Sequence, residues 1–332
     1  MDNSSPRNAR TVVVGGGTMG ADVAVVLARG GAQVTVVDPH AARRDQLLPH
    51  IAQELAAAGQ TTHAGPVQVC ASLQDVDWSG VVLVVECITE QRAAKQKLFA
   101  ELETVAPPNA VLTSNSSGFP ISAIAQGLAT AQRMLGLHFF MPAHLVPLVE
   151  VVLGERSDPA LGTWLHAFMR GCGSVPVLVK KDKPGFLANR MQHALSREAF
   201  ALIDEGIASP EDVDAAVRFG FGFRFLAAGP VLQRDHAGIE VHTAAAATMY
   251  PTLSNTDVPA QALRDKVAQG QLGMKTGKGF FDWPEDRKQA ERARYDTLLR
   301  QGLALLASEL PTIEPPTATS PTDTPSTTGA RA

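Results

Sequence analysis

A histidine and a glutamate lie in two successive strand-like runs of the sequence. His138 is near the end of the run 134–140, a short loop follows, and Glu150 lies in the next run, 148–152. If these strands are neighbours, the two side chains can face each other. A carboxylate on one imidazole nitrogen fixes the tautomer and stabilises the imidazolium, so the other nitrogen can act as a base. Such a pair could take the proton of a hydroxyl group whose carbon loses a hydride.

Two other histidines compete with His138 for this role. His144 lies in the loop between the two strands, and His236 follows Asp235 in a region with helical patterning. The same spacing also fits a histidine that only packs within its strand, with a glutamate at the surface. The pattern by itself therefore leaves the assignment open.

A glycine motif near the N-terminus could hold a dinucleotide. After the β-branched run 11–14, Gly15, Gly17 and Gly20 follow the pattern G-x-G-x-x-G. The first glycine permits a tight turn, the second lets a pyrophosphate approach the backbone, and the third lets helix and strand pack closely. Thr18 and Met19 begin the next helix, whose free N–H groups can bind phosphate.

An acidic residue, Asp38, ends the second strand-like run, residues 33–37. Its carboxylate can accept hydrogen bonds from the ribose hydroxyls of adenosine, and it would repel a 2′-phosphate. The strand, helix, second strand and acidic residue all fall within about 30 residues, as this motif requires. We therefore predict NAD, rather than NADP, as the cofactor.

The candidate residues require a sheet whose strands end at a common edge. Apolar runs alternate with helical patterns up to residue 179, which predicts an α/β fold with a Rossmann-type, doubly wound, mostly parallel sheet. From residue 184 onward only helical patterns follow. We predict an NAD-binding domain over residues 1–183, an all-helical substrate and dimerisation domain over 184–310, and a disordered tail rich in Pro, Thr and Ser over 311–332.

Two polar stretches fall near the expected cleft. The sequence Ser-Asn-Ser-Ser-Gly at 114–118 follows a strand at the carboxyl edge of the sheet, where ligands bind in this architecture. Asn189 lies in the first turn of the interdomain helix and could reach back toward the cleft. The structural alternative for residues 114–118 is an ordinary turn. For Asn189 it is a capping or packing role in the helix.

Composition excludes several classes of function. The 332 residues are 45% hydrophobic and carry a formal net charge of −4, which gives no electrostatic case for nucleic acid or an anionic membrane. No apolar run approaches the roughly 20 residues of a membrane span, and no signal-peptide pattern is present. The three cysteines lack metal-site spacing. We expect a cytoplasmic protein that acts on a small molecule and holds no metal.

Taken together, these motifs resemble the L-3-hydroxyacyl-CoA dehydrogenase family over nearly the whole chain, to about residue 283. The resemblance is carried, in chain order, by residues 15–20, 86–99, 115–117, 138–152, 184–190 and 273–281, the last reading Gly-Met-Lys-Thr-Gly-Lys-Gly-Phe-Phe. It implies a Rossmann-type domain, a helical domain that forms a homodimer, and a place in fatty acid metabolism.

The resemblance also implies roles for individual residues. His138 would be the general base and Glu150 its orienting partner. Ser117 and Asn189 would hydrogen-bond the reacting oxygen and the nicotinamide side. The residues that fall where members of the family contact cofactor and substrate are Glu90, Lys95 and Asn115.

Three departures from the family pattern bear on the substrate. Met141 replaces the asparagine of the usual His-Phe-Phe-Asn-Pro, and a thioether can only pack there. The segment from Asp38 to residue 67 is shorter than in members that hold coenzyme A. Residues 218–238 look like the branch that acts on small free acids, which includes gulonate, carnitine and pyridine-carboxylate dehydrogenases. Arg224 could pair there with a substrate carboxylate.

The sequence thus predicts NAD-dependent oxidation of the 3-hydroxyl of a hydroxyacyl substrate, with a CoA thioester such as 3-hydroxybutyryl-CoA as the broad class. A small free hydroxy acid, or a hydroxymethyl or aldehyde carboxylate, is the first alternative. A protein that binds NAD without turnover, which Met141 suggests, is the second. Dehydrogenases with a catalytic lysine are disfavoured because Gly185 occupies the position four residues before Asn189.

Overall fold

The computed structural model of this protein describes residues 4–315. Its N-terminal part is one eight-stranded sheet with helices on both faces. The strands are β1 Arg10–Val14, β2 Gln33–Val37, β3 Val67–Cys70, β4 Val81–Glu86, β5 Val111–Ser114, β6 Met134–Phe139, β7 Leu148–Leu153 and β8 Val175–Val179. The helices are α1 Thr18–Arg29, α2 Ala41–Ala57, α3 Arg92–Val105, α4 Ile121–Ile124 and α5 Pro159–Gly171.

The sheet has the strand order β3-β2-β1-β4-β5-β6-β7-β8. All neighbouring strands are parallel except β6 and β7, which pair antiparallel. The chain reverses its order between β3 and β4, so a crevice opens above the carboxyl ends of β1 and β4, where dinucleotides bind in this architecture. The prediction of a mostly parallel Rossmann-type sheet is confirmed.

Both faces of the sheet are covered, which explains why its central strands are continuous apolar runs. Val12 and Val13 on β1 are fully buried and belong to different hydrophobic clusters, one on each face. Helices α1, α2 and α5 supply the cluster on the face of Val13, while α3 and α4 supply the other. The central strands are thereby held rigidly, and the loops at their carboxyl ends are fixed in place.

The C-terminal part is helical, as predicted. Its helices are α6 Ala188–Asp204, α7 Pro210–Ala216, α8 Gly222–Arg224, α9 Leu232–Ala237, α10 Ile239–Met249, α11 Gln261–Ala268 and α12 Glu285–Leu305. Helices α9 and α10 are separate, because Gly238 adopts a positive φ of 93° between them. Helix α12 was not predicted individually. Residues 316–332 of the predicted tail lie outside the described residues.

Within residues 4–315, no helix combines the length and apolar character needed to cross a bilayer.

Candidate active site

The glycine loop between β1 and α1 is shaped by close backbone contacts. Gly15 has a φ of +102°, and a Cβ there would lie 2.8 Å from the carbonyl carbon and oxygen of Cys87. A Cβ on Gly20 would collide with the carbonyl oxygen of Gly15, whereas nothing lies within 4 Å of the corresponding point on Gly17. The loop is therefore tight against β4 and open at Gly17, on the side from which a phosphate would approach.

A cavity of about 970 Å³ lies over this loop and is lined by residues 14–19, by Asp38 and by the exposed edge of α2. Helix α1 begins there with neither a side-chain cap nor an acidic residue in its first turn, so its N-terminal N–H groups are left for an anion. The space at Gly17 and these donors fit a dinucleotide.

Asp38 is anchored at the end of β2. Its Oδ2 accepts a hydrogen bond from the N–H of Gly16 at 2.8 Å, and its Oδ1 accepts one from the N–H of His40 at 2.8 Å. The side chain is 1% exposed, so its position is fixed by the glycine loop itself. Each carboxylate oxygen retains a further lone pair that a ribose hydroxyl could use.

His138 on β6 lies directly opposite Glu150 on β7 in the antiparallel register. Their side chains meet on one face, with Nδ1 of His138 2.7 Å from Oε2 of Glu150. The residues are 4% and 0% exposed. The rings of Phe140 and Phe186 lie 4.6 and 5.5 Å from the imidazole, centroid to centroid. With Nδ1 donating to the carboxylate, the Nε2 lone pair is left to act as a base.

The second oxygen of Glu150 connects the sheet to the helical part. Oε1 accepts hydrogen bonds from the backbone N–H groups of Leu187 and Ala188 at 3.0 and 2.8 Å, at the start of α6. Burial on its own would raise the pKa of Glu150. The hydrogen bonds from His138 and these N–H groups outweigh burial and hold that pKa below its usual value. The carboxylate thus stays ionised and keeps the imidazole in place.

The loop after β5 supports the strand that carries His138. Asn115 accepts a hydrogen bond at Oδ1 from the N–H of Phe139 at 2.9 Å. The Ser116 hydroxyl donates to Oε1 of Glu90 at 2.5 Å. Ser117 is exposed and forms no side-chain hydrogen bond within residues 4–315. The structure thus gives Asn115 a positioning contact and leaves Ser117 accessible.

Lys95 lies in a buried network below this loop, not at the surface. Its Nζ is 2.7 Å from Oε1 of Glu86 and 3.2 Å from Oε2 of Glu90, and the side chain is 1% exposed. Glu86 also accepts a hydrogen bond from the Ser114 hydroxyl at 2.6 Å. The structure therefore presents only Glu90 toward solvent, with 42% of its side chain exposed. Lys95 is thus a buried partner of the carboxylates of Glu86 and Glu90.

The other candidate residues lie in the helical part, except Met141, which is in the loop after β6. Asn189 lies in the first turn of α6, next to the two N–H groups that bind Glu150. Arg224 is exposed on α8, and within the described chain it does not contact the His138–Glu150 pair. Met141 is 66% exposed. His236, the second competitor for the role of base, is exposed on α9.

A second set of polar residues, centred on the buried Asp22, lies behind the glycine loop and was not predicted from the sequence. Asp22 on α1 is 2% exposed and lies 3.0 Å from both Nε2 of His50 and Nδ1 of His144. The sequence did contain an indication of these residues, because Asp22 interrupts an otherwise apolar helix that is buried over residues 20–28. An aspartate in such a helix requires partners, and no local pattern indicates which ones.

Two family models match this chain. The NAD-binding domain of 3-hydroxyacyl-CoA dehydrogenase matches residues 10–183, and the C-terminal domain of 3-hydroxyacyl-CoA dehydrogenase matches residues 185–283. Among curated proteins, the 5-formyl-3-hydroxy-2-methylpyridine 4-carboxylate 5-dehydrogenase of Mesorhizobium japonicum is 34% identical over 291 residues, which is 85% of this chain and 94% of that protein. The 3-hydroxybutyryl-CoA dehydrogenase of Mycobacterium tuberculosis is 33% identical, over 82% of this chain and 98% of its own length.

Comparison with solved structures gives two corresponding similarities. A crystal structure of a 5-formyl-3-hydroxy-2-methylpyridine 4-carboxylic acid 5-dehydrogenase, described as an NAD+-dependent dismutase, has a TM-score of 0.84 at 30% identity and covers 89% of this chain and 98% of its own. The structure of FadB2 from M. tuberculosis has a TM-score of 0.67 at 32% identity, with 84% and 100% covered.

Proposed function

Because this chain belongs to the 3-hydroxyacyl-CoA dehydrogenase family and is an NAD-dependent oxidoreductase acting on a CH–OH group, we propose that His138 and Glu150 carry the proton transfer of its reaction. The observation that carries this proposal is the 2.7 Å contact between His138 Nδ1 and Glu150 Oε2, near the carboxyl end of β6, a strand parallel to β5. The proposed substrate is a 3-hydroxyacyl compound, with 3-hydroxyacyl-CoA thioesters as the first class.

In the proposed mechanism, NAD supplies the hydride acceptor at C4 of its nicotinamide ring. Nε2 of His138 takes the hydroxyl proton as the hydride leaves the carbinol carbon. Glu150 stabilises the imidazolium that forms, and the N-terminal N–H groups of α6 hold the carboxylate in position. Ser117 and Asn189 are proposed to bind the reacting oxygen and the nicotinamide side. The glycine loop and Asp38 are proposed to hold the pyrophosphate and the adenosine ribose.

A small carboxylate is the second candidate substrate, and the structure offers a specific reason to test it. Only nine residues, 58–66, connect α2 to β3, and they form turns with no helix. This leaves little chain to cover the long carrier of a thioester. The relative from M. japonicum is named for a pyridine carboxylate. A hydroxymethyl or aldehyde carboxylate, or a small hydroxy acid, would then be the compound oxidised.

A panel of substrates distinguishes the two classes. We expect formation of NADH, measured by absorbance, with 3-hydroxybutyryl-CoA if the thioester is the substrate, and with hydroxy or aldehyde carboxylates if the free acid is. If free acids are oxidised, replacing Arg224 with Ala should raise their KM by about tenfold, the effect of losing one charge-assisted contact. Arg218→Ala, another exposed arginine six residues earlier, is the matched control and should leave the KM unchanged.

Formation of NADH from a substrate of either class would exclude the alternative that this protein binds NAD without turnover. Absence of NADH from every compound in the panel, with NAD+ binding intact, would contradict the proposed proton transfer. An Arg224→Ala variant with unchanged KM for an active free acid would remove Arg224 from the proposed site.

We also propose a homodimer formed through the helical part, in keeping with a division of the chain after residue 183. None of the helices α6 to α12 contains a buried residue. Large apolar side chains are exposed there, including Phe219 at 72% and Val231 at 79%. Patches of this kind mark association surfaces. Light scattering on purified protein should give about twice the chain mass of 35.1 kDa, and a mass of one chain would contradict the dimer.

A further inference from the structure

A second histidine–carboxylate pair faces the cavity over the glycine loop. Nε2 of His50 on α2 donates a hydrogen bond to Oδ1 of Asp22 at 3.0 Å, and both residues line the cavity together with Gly15–Gly17. The His50 side chain is 37% exposed and that of Asp22 is 3% exposed. The imidazole is therefore anchored at one nitrogen, while Nδ1 has no hydrogen-bond partner in the described part of the chain.

The face of α2 that carries His50 is turned toward the glycine loop. Arg43, Leu47 and His50 are spaced four and three residues apart, which places them on one side of a helix. Leu47 packs so closely on Gly16 that a Cβ there would lie 2.8 Å from its Cδ1. Asp22 is one helical turn beyond Thr18, where α1 begins. An anion bound at the start of α1 would thus lie in the same cavity as the imidazole of His50.

Buried groups behind His50 hold its partner Asp22 in place. Oδ2 of Asp22 accepts a hydrogen bond from the N–H of Ala143 at 3.1 Å, and His144 approaches its Oδ1. Nε2 of His144 lies 3.1 Å from Oε2 of Glu54, which also binds Arg300 on α12 at 2.6 Å. The hydrogen bond to Asp22 raises the pKa of His50, in spite of partial burial. No group of side chains here is arranged to hold a metal ion, within residues 4–315.

We propose that His50, held by Asp22, is a phosphate-binding residue of the nucleotide cavity. Its imidazolium would donate from Nδ1 to an anionic phosphate. Two molecules could supply that group, NAD+ through its pyrophosphate and coenzyme A through its diphosphate. The other titratable or charged groups that line the cavity are Asp38, His40 and Arg43. Asp38 opposes an anion, whereas Arg43, which lies 3.5 Å from Asp38 Oδ2, favours one. His50 adds a charge that depends on pH.

The test is direct binding by calorimetry, without any substrate turnover. In the wild type, the Kd for NAD+ should rise by about tenfold between pH 6 and pH 9, because His50 loses its charge while the phosphates remain anionic. His50→Gln should bind NAD+ about tenfold more weakly than the wild type at pH 6 and equally at pH 9. His50→Lys keeps a cation over this range and should bind tightly at both values.

Two comparisons assign the source of the effect. Adenosine carries no phosphate, so its affinity should be the same in all variants. A loss of affinity for coenzyme A, with NAD+ unaffected, would support phosphate binding and assign it to the thioester carrier. His63→Gln, an exposed histidine beyond α2, is the matched control. The proposal is overturned if His50→Gln binds both nucleotides like the wild type at pH 6, or if adenosine loses affinity equally.

Discussion

Replacing His138 with Gln should lower kcat by about 10²- to 10⁴-fold, the usual contribution of a general base. Glutamine keeps the size and polarity of the side chain and can still hydrogen-bond Glu150, but its amide cannot accept the hydroxyl proton. The affinity for NAD+ should stay the same, because the glycine loop and Asp38 are on other strands. Steady-state kinetics and NAD+ titration of the same preparation measure both quantities.

A matched control separates catalysis from folding. His166→Gln changes a partly buried histidine on α5, which packs on β7 and β8, and it should leave kcat unchanged. The urea midpoints of both variants should lie close to that of the wild type. Full turnover in the folded His138→Gln variant would eliminate His138 as the base and direct attention to His144.

Replacing Lys95 with Met should lower the free energy of unfolding by about 3–5 kcal/mol, the usual effect of leaving a buried charge unpaired. Methionine has a similar volume, so packing around it is largely retained. Glu86, which is 0% exposed, would lose its cation at 2.7 Å. Burial already holds the pKa of Glu86 above its usual value. Lys95 and the hydrogen bonds that Glu86 accepts lower this pKa, but by less than burial raises it. Without Lys95 that pKa should rise further.

The direction of the pH effect follows from this rise. Because the folded-state pKa of Glu86 exceeds the unfolded value, the penalty is absent at pH values below the unfolded pKa and grows as the pH rises. Urea unfolding of Lys95→Met at a fixed protein concentration should therefore show a smaller loss of stability at pH 5 than at pH 8. Adding Glu86→Gln should restore part of the loss, since no unpaired charge remains.

The same helix provides the control for this prediction. Lys97 is exposed on α3, two residues from Lys95, and Lys97→Met should change the free energy of unfolding by no more than about 0.5 kcal/mol. Equal stabilities of the Lys95→Met variant and the wild type at pH 8 would mean that the ion pair does not compensate the buried Glu86.

Local sequence patterns were sufficient to predict the sheet and the main features of the crevice. Apolar runs of strand length, alternating with helical patterns, predicted the mostly parallel sheet, because buried parallel strands form nearly continuous apolar runs. The glycine motif placed the tight turn after β1. The loop between two runs allowed His138 to face Glu150, and the antiparallel register of the two strands places them opposite each other.

The helical part was less predictable, for a physical reason. Helix α12 has little apolar periodicity and no buried residue, so the pattern that identifies amphipathic helices is absent from it. Its attachment to the sheet domain includes the ion pair between Arg300 and Glu54, which are 246 residues apart. No window of sequence contains both residues.

The sequence by itself determined the Rossmann-type fold and the dinucleotide loop, since each is marked by local patterns, and it made His138 and Glu150 candidates for a facing pair. Only the tertiary structure decided that Lys95 is buried beside Glu86, that Glu150 binds the start of α6, and that Asp22 holds His50 in the cavity. These contacts join elements brought together by packing. A buried charge must find a partner, but which partner it finds depends on the fold and not on its sequence neighbours.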